Sequence, residues 1–274
     1  MLYTLIILVT ALAPAALLFW YINYKDKAHP EPVKLLVKGL VYGMLSAFLV
    51  GGYGSLLAMA GFNLDVESLD SLGGAATLSL FGAALPEEGA KLFMLWLLLR
   101  NNKYYDEYLD GIVYAACVGL GFAGLENVLY LFNAQDEWLQ VGLMRGITAV
   151  PAHFTMACAM GYFYSEYHFG GKKRTSAACV FLVPVFIHWL WDTLAFSASL
   201  LGMSSSLLMD AVFLYFIYRL YKSTRQRIAE MQHKDDLRVM PPHTRSPHAA
   251  QRAKQPDDDF LNKSRSRTIK WHPA

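Results

Sequence analysis

Apolar runs of bilayer-spanning length, separated by short polar loops, organise the chain as far as Tyr221. They fall near residues 2–22, 39–61, 75–99, 110–133, 141–164, 177–201 and 205–221. Each is close to the ~20 residues that a ~30 Å hydrocarbon core requires, so the pattern predicts about seven transmembrane helices. The loops alternate in sign. Lys25, Lys27, Lys34 and Lys38 follow the first run, Asp65, Glu67 and Asp70 the second, and Arg100 and Lys103 the third. Asp136 and Glu137 follow the fourth, Lys172, Lys173 and Arg174 the fifth, a neutral Ser204-Ser205-Ser206 turn the sixth, and Arg219, Lys222, Arg225 and Arg227 the last. Every second loop is basic, which predicts an N-terminus outside and a C-terminus in the cytoplasm. The first run has no basic residue before it and two lysines after it, the reverse of a secretory leader, and is expected to be a retained anchor.

Composition fits the same class. Hydrophobic residues make up 55% of the 274, charged residues only 17%, and the mean hydropathy is +0.28. The expectation is an all-α, polytopic membrane bundle in the cell membrane, with the lipid bilayer as solvent. A net charge of +2 spread over loops and tail argues against a nucleic-acid partner. Cys117, Cys158 and Cys179 lie in apolar runs without metal-like spacing and read as small buried hydrophobes. Two domains are expected: a membrane domain over 1–221, and a polar tail over 222–274, rich in charge and proline and expected to be disordered. Residues 222 to about 236 could extend the last helix, with their basic side chains near anionic lipid. There is no internal repeat of the kind from which many transporters are built.

Against this background Glu87 and Glu88 are expensive, since an acidic residue at mid-span costs roughly 2.5 to 3.5 kcal/mol. Lys91, three and four residues on, shares their helical face and supplies a neutralising partner. Other runs carry Glu126, His153, and His188 with Asp192. At ~1.5 Å per residue, Glu87, His153 and His188 lie roughly 18 to 20 Å deep and Asp192 and Glu126 roughly 10 to 15 Å. Similar depth on four helices predicts one shared polar cavity. His188 and Asp192 are four apart, on one face, so the aspartate can orient or charge the imidazole. Gly119, Gly121, Ala123 and Gly124, ahead of Glu126, allow a neighbouring helix to come close. Taken singly, Glu126 or His153 could equally bind a neighbour's backbone. Arg145 and Asp210, nearer the run ends, are expected to snorkel.

Hydrolysis of a peptide bond inside a membrane requires a held water, a base and donors for the developing oxyanion. The cluster contains groups of each kind. Two adjacent carboxylates in a low dielectric do not comfortably both ionise, which suits one of them to proton transfer.

Taken in order, Glu87-Glu88-x-x-Lys91, Phe122-x-x-x-Glu126 and His188-x-x-x-Asp192 resemble the PrsW family of intramembrane proteases. Tyr24-Lys25-Asp26-Lys27 followed by Glu31-Pro32 is similar to that family's opening, and the resemblance covers roughly 20–220. The related CAAX prenyl proteases carry EExxxR, FxxxH and HxxxN. Here lysine comes one residue before that arginine, Glu126 replaces the second-motif histidine, and Asp192 replaces the asparagine. These departures favour PrsW over prenyl-peptide cleavage.

The resemblance implies an endopeptidase acting on membrane-anchored proteins such as anti-sigma factors. It implies Glu87 and Glu126 as the water-activating pair, His188 and Asp192 at the substrate carbonyl, and Glu88 and Lys91 orienting Glu87. Phe122, from the second motif, would support the site, and His153, which lies outside the three motifs, is assigned to it by its depth. Zinc is open: Glu87, Glu126, His153 and His188 could hold it, yet no run carries HExxH. Two other readings stay in view. A proton-coupled or ion transporter would also place carboxylates at mid-membrane, and a non-catalytic binding or immunity protein would keep the fold.

Overall fold

In the computed structural model, which describes residues 2–200 and 207–239, all regular structure among the described residues is helical. The elements are α1 (Leu2–Lys25), α2 (Val33–Met59), α3 (Leu72–Leu78), α4 (Leu85–Leu99), α5 (Tyr108–Asn133), α6 (Trp138–Ile147), α7 (Ala149–Phe169), α8 (Arg174–Leu200) and α9 (Leu207–Val239). Among the described residues, α1, α2, α5 and α8 are long and apolar enough to cross a membrane. Their burial differs in a way that orders the bundle. In the apolar window of α5, 78% of residues are buried, against 22% to 28% in the other three. α5 is therefore the axis, with α7, α2 and α1 packed around it, while the outer helices turn Leu, Phe and Val side chains outward, as a lipid-facing layer does.

α2 approaches this axis through paired glycines. A Cβ on Gly43 would lie 2.0 Å from the Val118 carbonyl oxygen, and one on Gly121 would lie 2.0 Å from that of Leu40. Backbone meets backbone at this crossing, which is the close packing that small residues permit between membrane helices. The stretch before Glu126 thus seats α5 against α2 at Gly121, while Gly119 meets α7 and Gly124 meets α1.

Two apolar runs are broken where hydropathy gives no warning. The run 75–99 is divided by a π-helical turn over Ser79–Ala84. Pro86 follows it at the start of α4; a proline there has no N–H for the Gly82 carbonyl, so the preceding turn widens. Tyr53 Oη of α2 donates to the Phe81 carbonyl at 3.1 Å within this turn. The run 141–164 is divided at Thr148, whose backbone (φ −119°, ψ −74°) separates α6 from α7. The last run lies in α9, where Asp210's side chain falls outside the described residues.

The expected boundary at residue 221 does not end a helix. α9 continues to Val239 and docks on the ends of α1, α5 and α7. Asp235 accepts the Tyr108 and Leu109 N–H groups at 2.7 and 2.9 Å, capping α5; Lys234 pairs with Glu166, and Gln232 donates to the Lys25 carbonyl. These caps and ion pairs give polar residues a folded place that composition does not reveal. Residues 240–274 of the expected tail lie outside the described residues.

Beside that docking site, the loop between α1 and α2 buries Asp26 and Glu31. Asp26 accepts the Glu31 N–H, and Glu31 accepts the Tyr114 hydroxyl. Burial pushes both carboxyls up to about 7, with the Asp110 carboxyl adding to the effect at Asp26. Both pKa values exceed the unfolded value near 4, so between about pH 4 and 7 the folded state binds more protons. Stability contributed here falls as pH rises through that window. Thermal unfolding from pH 5 to 8 should therefore show the parent losing stability relative to Glu31→Gln, and parallel curves would refute the effect.

Candidate active site

Four helices deliver the site. α4 brings Glu87, Glu88 and Lys91, α5 Phe122 and Glu126, α7 His153, and α8 His188 and Asp192. Glu88 is fully buried, and Glu87, Lys91, His153 and His188 are buried with it. The side chains of Glu126 and Asp192 are 19% and 17% exposed and form the more open edge.

Lys91 is the hub. Its Nζ lies 2.8 Å from Glu88 Oε1, 3.3 Å from Glu87 Oε2 and 3.1 Å from His153 Nδ1, and stands 3.9 Å over the Phe122 ring. Phe122 therefore offers a π face to the ammonium. An ammonium has no lone pair, so His153 Nδ1 accepts and its Nε2–H donates to Glu126 Oε2 at 3.0 Å. Among the described residues, neither Glu126 nor His153 binds a neighbour's backbone; they bind each other.

His188 is clamped between carboxylates. Its Nδ1 lies 2.9 Å from Glu88 Oε1, and its Nε2 lies 3.2 Å from Asp192 Oδ2 and 3.8 Å from Glu87 Oε2. A ring protonated at both nitrogens satisfies both neighbours. The His188 and His153 rings meet edge to face at 5.3 Å. All eight residues expected at the site from sequence are thus brought together, with no member left on a separate face.

One residue expected to snorkel belongs here instead. Arg145 Nη2 donates to Glu126 Oε2 at 2.6 Å and its Nε to Asn127 Oδ1 at 3.0 Å. Only 17% of the Arg145 side chain is exposed, because the turn over residues 134–137 folds α6 back beside α5. The signal was present in the sequence: between Glu137 and Glu166, Arg145 is the one lysine, arginine or acidic residue.

The donor types suit a metal. One ligand atom from each of Glu87, Glu88, His153 and His188 lies within 4.8 Å of all the others. Carboxylate oxygen and imidazole nitrogen are zinc donors, and Glu88 Oε2 is buried without a hydrogen-bond partner among the described residues. This set includes Glu88 where the sequence suggested Glu126, since Glu126 is drawn off by Arg145 and His153. Lys91 stands against three of the four members.

Comparison with known proteins places the chain among intramembrane metalloproteases. The sequence profile of the PrsW family intramembrane metalloproteases matches residues 31–220. A protein named Protease PrsW from Clostridioides difficile is 32% identical over 188 residues, covering 66% of this chain and 76% of that protein. Its namesake from Geobacillus kaustophilus is 30% identical over 201 residues, covering 73% of this chain and 84% of that protein. One from Oceanobacillus iheyensis is 28% identical over 224 residues, 81% of this chain and 98% of its own length. No solved structure matches the chain.

Proposed function

This chain belongs to the PrsW family of intramembrane metalloproteases, and from that premise we propose that it cuts membrane-anchored proteins with a water activated by Glu87 and Glu126. The observation that carries the reading is the convergence of Glu87, Glu126, His153, His188 and Asp192 from four helices on one buried lysine-centred cluster. Structural hydrogen bonds between helices need one partner each, and burying this many ionisable groups together costs far more than such bonds require.

Glu87 takes a proton from the water as its oxygen attacks the scissile carbonyl carbon. The oxyanion that forms accepts a hydrogen bond from His188 Nε2–H, which faces the side occupied by Glu87 and Asp192. Glu87 then returns the proton to the leaving amide nitrogen, so one water is consumed and an acid and an amine are released. Glu88 holds His188 through Nδ1, and Lys91 fixes both glutamates. Glu126 supports the water through its Oε1, which makes no hydrogen bond among the described residues. Glu87, Glu88, His153 and His188 could instead hold a zinc ion, each histidine through a deprotonated ring nitrogen, and the ion would then supply Lewis acidity and a more acidic bound water in place of the His188 N–H.

The alternating basic loops orient the protein with the Lys25 end in the cytoplasm of a cell whose membrane it crosses several times. Substrates would enter from the bilayer as single spans. Purified protein in lipid nanodiscs, given fluorogenic single-span peptides, should cleave them, and His188→Ala should lose at least about 100-fold in kcat. Equal cleavage by parent and variant would sink the assignment.

A further inference from the structure

We propose that Arg145 is a positioning residue of this protease, fixing the Glu126 carboxylate in the orientation in which it holds the attacking water. The proposal rests on the reading of Glu126 as a member of the water-activating pair. A glutamate side chain has three rotatable bonds, and His153 alone constrains one oxygen from one side. Arg145 adds a second contact to that same Oε2 from another helix, leaving Oε1 without a partner among the described residues.

The arginine is itself built in. Its Nε is held by Asn127, which is fully buried and whose Nδ2 donates to the Ala11 carbonyl of α1 at 2.8 Å. That second bond settles the amide's orientation and turns Oδ1 toward Arg145. α6 lies close on α1 through glycines one turn apart. A Cβ on Gly142 would meet Thr10 Cγ2 at 2.9 Å, and one on Gly146 would meet Pro14 Cγ at 3.0 Å. The guanidinium also covers the Tyr130 ring at 3.7 Å. A snorkelling arginine needs none of these contacts. The fork geometry, with Nη2 on one partner and Nε on another, is one that a lysine ammonium reproduces only in part.

The test uses full-length protein in nanodiscs with a fluorogenic single-span peptide, comparing parent, Arg145→Ala and Arg145→Lys, and a thermal cycle with Glu126→Gln. Arg145→Ala should lower kcat about 100-fold with KM within about threefold, the split expected of a group that acts on the transition state. Arg145→Lys should recover to within about tenfold of the parent, and added methylguanidinium should partly restore Arg145→Ala. The melting temperature of the double variant should fall by less than the sum of the two single losses. Arg145→Ala with kcat within threefold of the parent overturns the proposal, as does a loss that neither lysine nor methylguanidinium restores together with additive melting shifts. A parent that cleaves nothing refutes the proteolytic reading, and the positioning role with it, while the thermal cycle still reports whether the pair couples.

Discussion

Glu87→Gln should leave a folded protein that scarcely cleaves, with kcat reduced about 1,000-fold or more and KM close to that of the parent. Glutamine keeps the volume and the hydrogen-bonding oxygen but has no basic site, so what is lost is proton transfer, a contribution of about 100- to 10,000-fold. The fold should tolerate the change. Lys91 retains Glu88 at 2.8 Å, and Glu87 itself lies farther from Lys91 at 3.3 Å. Steady-state kinetics on a single-span peptide beside a thermal melt of the same preparation separates the two effects. Cleavage within about threefold of the parent would remove Glu87 from the chemistry.

Lys91→Met should do the opposite and cost the fold. The ammonium is the near partner of two buried carboxylates and of His153, and methionine fills the space without the charge. Removing one partner from a buried ion pair costs about 3 to 5 kcal/mol because the remaining charges stay in the interior. The prediction is a variant that melts many degrees below the parent or fails to accumulate. Adding Glu88→Gln removes one stranded charge and should restore part of the melting temperature, although activity should stay lost because Glu88 also holds His188. A Lys91→Met protein as stable as the parent would contradict the lysine-centred account.

The parts of this site legible in the sequence were those that violate the apolar pattern at mid-span. Glu87, Glu88 and Lys91 are conspicuous because charge is costly there, and His188 with Asp192 because helical spacing puts them on one face. Depth counting then grouped residues from four runs without any knowledge of packing. Arg145 escaped because an arginine near a run end is ordinarily explained by snorkelling, and hydropathy marks neither the break at Thr148 nor the face that α6 turns to Glu126 once the turn over 134–137 brings it back. The π-helical turn ahead of Glu87 was hidden for the same reason, since an apolar run reads alike whether its turns hold four residues or five. The docking of α9 was hidden differently. Asp235 looks like one more charge in a solvated tail until the unpaired N–H groups at the start of α5 are placed against it.

The most direct test of the central claim is mass spectrometry of a single-span substrate co-reconstituted in vesicles with the purified protein in heavy-oxygen water. The account predicts a cut within the apolar span, one heavy oxygen at the new C-terminus, and no product with Glu87→Gln. An intact substrate, in vesicles where the parent conducts protons or ions and Glu87→Gln does not, would contradict it.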